Sequence, residues 1–292
     1  MTTPYHALAA RFAGLVAEGR SLPLGGFATP KRPAPAANAP KVLIFSPHPD
    51  DECIIGGIAL RFQREAGMRV VNVAVTQGSN RDRQAGRLEE LRHACEFLGF
   101  DLVQTAETGL ERITARARAE APDEWRAKVT VIADILREQQ PAAILFPHER
   151  DWNGTHIGVH HLVRDALAVA GDTVRCLTVE TEFWGAMDDP NLMVELTPEH
   201  VGDLMAGTSF HVGEVNRNPY HLLLPAWLQD NVRRGGELVG GQGGTPPDFN
   251  FATLYRLGHW DGRGWSKIEP AQRLLGAGVS TGSLLDAVPK TP

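Results

Sequence analysis

A histidine and three acidic side chains lie together in the segment His48-Pro-Asp-Asp-Glu52. Imidazole nitrogens and carboxylate oxygens are ligands that divalent metals such as zinc bind in proteins. Pro47 and Pro49 fix their own φ angles and push the residues before them towards extended backbone, which predicts a stiff turn. The pattern indicates a metal site. In a competing interpretation, the three acidic residues only cap the start of a helix.

A second polar cluster spans residues 148–161 and holds four of the 11 histidines of the chain: His148, His156, His160 and His161. His156 and His160 are four residues apart, so they share a helix face if a helix has already begun there. One of them could then bind metal while the other reaches substrate. Asp151 lies in the same segment and is expected to contact substrate. Alternatively, Asn153-Gly154 is an ordinary turn and the histidines are surface residues.

The elements that must position these clusters are strands that alternate with helices. Short apolar runs predict strands over 42–46, 70–76, 102–105, 142–146 and 174–182, and helical spacing predicts helices over 54–65, 87–98, 123–139 and 156–170. This alternation predicts an α/β fold, a Rossmann-like three-layer sandwich with a mostly parallel sheet. Ligands bind beyond the carboxyl ends of the strands in such sheets. Both clusters follow a predicted strand, so we expect them to meet.

The chain is expected to contain three segments. Residues 1–40 comprise an amphipathic helix over 5–18, which would lie on the main body, and a proline-rich connector. Residues 41–185 form the catalytic core. Residues 186–292 form a C-terminal extension with helices near 198–206 and 220–234, expected to pack on the core. The expected rim residues of the pocket are Glu214, Arg217, His221, Arg233 and Arg234.

Composition limits the classes of partner and compartment. A net charge of −6 and a pI near 6.0 argue against a nucleic-acid partner, which requires a basic face. The three cysteines are widely spaced and suggest no disulfide framework. The sequence has no apolar run long enough for a membrane span and no secretory signature, which predicts a cytoplasmic location. It predicts no oligomeric state.

The segment Ser46-Pro47-His48-Pro49-Asp50-Asp51-Glu52, together with Val75-Thr76-Gln77-Gly78, Arg87-x-x-Glu90, Ala94 and Leu98-Gly99, resembles the PIG-L/LmbE-like zinc-dependent N-deacetylase family over residues 41–180. The signature of that family is an [AS]-H-P-D-D-E turn after the first strand. The sequence departs from the family pattern in two places. Pro47 precedes the histidine directly, and His156-x-x-x-His160 stands where the family has H-x-x-H.

The resemblance implies a role for each matching residue: His48, Asp51 and His160 as metal ligands, Asp50 as general base, His156 as the acid or oxyanion partner, and Arg87 as a substrate contact. His161 is the alternative third ligand. The implied cofactor is one zinc ion per chain, with another divalent metal such as Fe²⁺ as an alternative. The implied reaction is removal of an N-acyl group, with acetyl expected, from a small sugar-like substrate by a metal-activated water.

Two other functions compete with N-deacetylation. One is hydrolysis of a different amide, in an antibiotic or a modified amino compound. The other is a protein that binds a metal or nucleotide without turnover. Asp50 argues against the second, because metal binding alone requires only the ligands.

Overall fold

The computed structural model describes residues 2–182 and 184–287, and strands alternate with helices over its first two thirds. The strands are β1 (Lys41–Ser46), β2 (Arg69–Ala74), β3 (Asp101–Gln104), β4 (Ala143–Pro147), β5 (Cys176–Thr181), β6 (Leu192–Leu196), β7 (Phe251–Trp260), β8 (Trp265–Lys267) and β9 (Leu274–Leu275). The helices are α1 (Pro4–Gly19), α2 (Asp51–Ile54), α3 (Gly57–Ala66), α4 (Arg81–Leu98), α5 (Ala115–Glu120), α6 (Pro122–Gln139), α7 (Gly154–Ala170), α8 (Pro198–Ser209), α9 (Val212–Val215) and α10 (Tyr220–Leu238). Two 3₁₀ helices cover Gly171–Thr173 and Thr281–Ala287.

The strands form one sheet in the order β3-β2-β1-β4-β5-β7-β6-β9, with β8 paired to β7. Strands β3, β2, β1, β4 and β5 run parallel, and β7 is antiparallel to both β5 and β6. The chain passes from β1 outward to β2 and β3 and then returns to add β4 on the other side of β1. The carboxyl ends of β1 and β4 therefore flank a topological switch point, where ligands bind in such sheets.

Helices cover both faces of the sheet. One buried apolar cluster joins the sheet to α3, α4, α8 and α10, and a second joins its opposite face to α6 and α7. Strand β1 supplies both clusters, because Val42 and Ile44 point to one face and Leu43 and Phe45 to the other. The predicted three-layer sandwich with a mostly parallel sheet is confirmed.

The C-terminal residues contribute strands to this same sheet. Strand β7 pairs with β5 along Cys176–Thr181, and β6 then pairs with β7. The helices expected near 198–206 and 220–234 correspond to α8 and α10. The sequence interpretation did not predict β6 or β7.

Helix α1 does not lie on the main body along its length, as we had expected. Gly19 is its only buried residue and packs against Leu222 of α10, whereas Tyr5, Leu8 and Phe12 are exposed. Across the described residues, no helix combines the length and apolar character that crossing a membrane requires.

Candidate active site

The turn between β1 and α2 has a strained backbone at Asp50, whose φ of 112° lies in the left-handed region that favours glycine. Such a conformation costs about 1–3 kcal/mol and persists only when its surroundings impose it. The Asp50 N–H donates to Glu52 Oε2 at 3.0 Å, and Arg87 donates to the Pro49 carbonyl at 3.0 Å. The His48 N–H donates to Asp51 Oδ2 at 2.7 Å. These three hydrogen bonds thus fix the conformation of the turn.

Three potential ligand atoms converge beside this turn. His156 Nε2 lies 3.3 Å from His48 Nδ1 and 3.5 Å from Asp51 Oδ2, and the latter two atoms are 3.7 Å apart. Zinc bonds of about 2.0–2.2 Å at tetrahedral angles separate ligand atoms by about 3.4 Å. The three atoms therefore have the spacing that a single divalent metal requires of its ligands.

Asp151 contacts the second ring nitrogen of His156, Nδ1. Its Oδ2 lies 3.5 Å from His156 Nδ1 and accepts from the backbone N–H of Trp184 at 3.1 Å, while its Oδ1 accepts from the Asn153 N–H at 2.8 Å. Burial raises the pKa of Asp151, but the contact with His156 and the backbone N–H groups of Asn153 and Gly185 outweigh it and lower the pKa below its ordinary value. An ionised carboxylate behind a histidine orients the ring towards a metal. Asp151 is thus placed to orient His156, and it does not line the cleft described below.

His160 does not join His48 and Asp51. One helical turn along α7 from His156, it lies against Glu180 (3.4 Å), and its Nδ1 donates to the Pro147 carbonyl at 3.0 Å. The ring of His160 lies near the carboxylates of Glu149 and Glu180, and none of its atoms belongs to the group formed by His48, Asp51 and His156. Burial lowers the pKa of His160 to about 4. The structure thus brings His156, and not His160, to the position expected for the third ligand.

The remaining histidines of the second cluster also lie elsewhere. His148 is buried, with Nε2 2.9 Å from the Gly185 carbonyl. His161 lies with His160 at a separate cavity, where Arg256 bonds to both Glu149 and Glu180.

A cleft of about 500 Å³ opens beside the potential ligand atoms of His48 and Asp51. Its lining combines the two motifs with residues of the C-terminal part: His48, Asp50, Asp51, Arg87, Trp152, Asn153, Trp184, Glu214, Arg217, Asn218 and Tyr220. Arg87 lies in it as expected, and so do Glu214 of α9 and Arg217 between α9 and α10. The other three expected rim residues, His221, Arg233 and Arg234, do not line it. The sequence interpretation missed Asn218 and Tyr220, because no spacing connects them to either motif.

Asp50 and Tyr220 are the titratable groups of the cleft with the clearest shifts towards their neutral forms. Burial and the neighbouring charge of Asp51 raise the pKa of Asp50 well above its ordinary value. Burial, with the charges of Glu214 and Asp50, raises the pKa of Tyr220 to about 12. Tyr220 therefore remains a hydroxyl donor at neutral pH. The raised pKa of Asp50 favours uptake of a proton by its carboxylate.

Residues 43–167 match the model of a known family, PIG-L, described as GlcNAc-PI de-N-acetylase. The resemblance expected from the sequence is confirmed over this core. The PIG-L match contains His48, Asp50, Asp51, Arg87, Asp151 and His156, but it does not reach the wall formed by α9 and α10. No curated protein matches the chain.

Several solved structures share the fold. The conserved protein TT1542 from Thermus thermophilus is 17% identical, with a TM-score of 0.54 over 73% of this chain and 92% of that one. GalB, the 4-carboxy-2-hydroxymuconate hydratase of Pseudomonas putida, is 17% identical, with a TM-score of 0.53 over 75% and 95%. The N,N'-diacetylchitobiose deacetylase of Pyrococcus horikoshii is 16% identical, with a TM-score of 0.52 over 88% and 93%. At these identities the likeness establishes the fold alone, and enzymes with different reactions share it.

Proposed function

We propose that this chain is a metal-dependent hydrolase that removes an N-acyl group, with acetyl expected, from a small sugar-like substrate. The observation that carries the proposal is the triangle of His48, Asp51 and His156 ligand atoms beside the carboxyl group of Asp50 in an open cleft. The PIG-L match and the deacetylase among the structural neighbours support the same reaction.

His48, Asp51 and His156 would hold the metal, and His156 replaces His160 in the ligand set that the sequence suggested. Two nitrogens and one carboxylate oxygen suit zinc, one ion per chain, and Fe²⁺ is the alternative. Such an ion supplies Lewis acidity, which polarises an acyl carbonyl and acidifies water at neutral pH.

Asp50 would move the proton. Its carboxylate accepts a proton from water as the water oxygen bonds to the acyl carbon, and the raised pKa favours this uptake. When the C–N bond breaks, Asp50 returns the proton to the leaving nitrogen. The products are a carboxylic acid and a free amine.

The oxyanion partner requires reassignment, because both ring nitrogens of His156 already face other groups, Nε2 towards the metal position and Nδ1 towards Asp151. Asn153 and Tyr220 can replace it. Asn153 Oδ1 accepts from the Thr155 N–H at 2.8 Å, which leaves the amide N–H groups to donate. We assign the Tyr220 hydroxyl and the Asn153 amide as donors to the negative charge that develops on the acyl oxygen.

The test measures acetate release from N-acetylglucosamine and N,N'-diacetylchitobiose by protein that has been stripped with a chelator and then reloaded with zinc. The proposal expects release that depends on added metal and stops again on chelation. Metal-independent release, or no release from these or other N-acyl sugars, would overturn it. Release only from amides without a sugar would support the second hydrolase function instead.

A further inference from the structure

A buried carboxylate lies directly under the strained turn. Glu52 has no solvent exposure, and three donors bind it. Its Oε2 accepts from the Asp50 N–H at 3.0 Å, and its Oε1 accepts from the Cys53 thiol at 3.1 Å and from His211 Nε2 at 2.7 Å. The bond to His211 is the shortest of the three. A carboxylate oxygen accepts only, so His211 carries its proton on Nε2 and donates it.

His211 also begins the wall of the cleft that faces the turn. Its backbone carbonyl accepts from the N–H groups of Glu214 and Val215, both at 2.9 Å, and so starts helix α9. Glu214 lines the cleft, as do residues that follow it along the chain. His211 is therefore hydrogen-bonded through its side chain to Glu52, next to the strained turn. Its backbone is hydrogen-bonded to α9, in the opposite wall of the cleft.

The hydrogen bonds of Glu52 allow His211 to influence the backbone conformation of Asp50. A carboxylate that is held at one oxygen can still rotate about its last carbon–carbon bond. His211 and Cys53 fix Oε1, so Oε2 stays aimed at the Asp50 N–H. A thiol is a weak donor, so His211 is the main restraint on Oε1. That restraint helps to maintain the φ of 112° at Asp50, which directs its side chain towards the cleft.

We propose that His211 and Glu52 form a positioning pair that fixes the backbone of Asp50 in its reactive conformation. The proposal rests on the proposed hydrolase function. His211 touches neither substrate nor metal ligand in this scheme, and it acts only through Glu52. Loss of its N–H should therefore slow the chemical step while substrate affinity and metal content are retained.

The experiment compares His211→Gln with His211→Met in zinc-loaded protein. The glutamine amide nitrogen can occupy the position of Nε2 and donate to Glu52, whereas methionine has similar bulk and no donor. We expect His211→Met to lower kcat by about 10- to 100-fold, with KM, zinc content and Tm close to those of His211→Gln. The His211→Gln variant should keep most of the wild-type kcat.

A matched control is His259, a second buried histidine, which lies on β7 opposite Leu177, near the start of β5 and at the far end of that strand from the catalytic turn. His259→Gln and His259→Met should have equal kcat. If His211→Met does not fold, His211→Leu takes its place, with the same loss expected.

Equal kcat in the two His211 variants would overturn the positioning pair, and so would a loss of zinc in step with the loss of kcat. A wild-type protein that releases no acetate with zinc present would instead overturn the hydrolase function, and the pair with it. Activity in the wild type therefore separates the two failures.

Discussion

Asp50 and Asp51 are adjacent and buried, and their pKa values move in opposite directions. Burial and the charge of Asp51 raise the pKa of Asp50. Burial also acts to raise the pKa of Asp51, but His156 and His48 outweigh it and lower that pKa. A proton taken up by this pair of carboxyl groups therefore binds Asp50, and Asp51 remains ionised. This division suits a proton carrier beside a metal ligand.

Substitution should separate these two tasks. Asp50→Asn should retain about one metal ion per chain and lose about 10²- to 10⁴-fold in kcat, the usual contribution of a general base. Asp51→Ala and His156→Ala should lose the metal itself. Elemental analysis beside acetate-release kinetics measures both effects. His160→Asn serves as the control and should keep its metal; loss of metal there, with retention in His156→Ala, would restore the ligand set suggested by the sequence.

Tyr220 offers a test of the oxyanion assignment, because phenylalanine keeps its ring contact with Trp184 and removes only the hydroxyl. Tyr220→Phe should lower kcat by about 10²- to 10³-fold if the hydroxyl stabilises the transition state. Tyr5→Phe, on the exposed face of α1, is the matched control and should have wild-type kinetics. Wild-type kcat in Tyr220→Phe would leave Asn153 as the sole assigned donor.

At the scale of elements, β1, β4, α2 and α7 carry most of the site. Sequence patterns predicted β1, β4 and α7, whereas the helix expected over 54–65 corresponds to α3 and the short α2 was not predicted. Buried apolar runs ended at polar clusters, and the parallel sheet brought those ends together. The sequence did not show which turn of α7 would meet the metal position, because His156 and His160 lie on the same helix face. That choice depends on where α7 begins, and Asn153 caps it through the Thr155 N–H.

His160 should influence stability and not catalysis. Its pKa is 6.5 when unfolded and about 4 when buried, so the unfolded chain binds more protons between these values. The free energy of unfolding should therefore fall as pH falls from about 6.5 to about 4, by on the order of 3 kcal/mol.

The measurement is urea unfolding of metal-free wild type and His160→Asn across this pH range. Asparagine can still donate to the Pro147 carbonyl, but it does not titrate. The variant should thus have a shallower pH dependence, because the two proteins differ only at residue 160. Identical pH dependence in the two proteins would contradict the assignment.

The fold of the whole molecule depends on β7, a strand that local sequence patterns did not predict. Strand β7 contains Arg256, Gly258 and His259, which are unusual in a buried strand. Arg256 is accommodated because Glu180 of β5 and Glu149 bind its guanidinium. Local sequence patterns cannot reveal partners that are so distant along the chain. The same applies to Tyr220 and Asn218 in the cleft, whereas the two motifs were evident locally.

A chain that ends at residue 185 should therefore fail to fold cooperatively. It would lose β6, β7, α8 and α10, which share the apolar cluster of β1 and α3. Each large apolar side chain contributes about 1.5–3 kcal/mol when buried, against a total stability of about 5–15 kcal/mol. Urea unfolding followed by circular dichroism measures the outcome.

A chain that begins at Gly19 lacks only the exposed part of α1 and should unfold like the full chain. A sharp transition in the 1–185 chain would show an independent core.

The position of β7 also sets a delay during synthesis. Strand β5 ends at Thr181, and the strand that covers its free edge begins at Phe251, about 70 residues later. At about 5–20 residues per second, the ribosome needs about 4–14 s to produce that interval. For those seconds β5 has an unpaired edge, and Glu180 lacks its ion pair with Arg256. A nascent chain at this stage exposes a strand edge with which another chain can pair, until β7 is made and covers it.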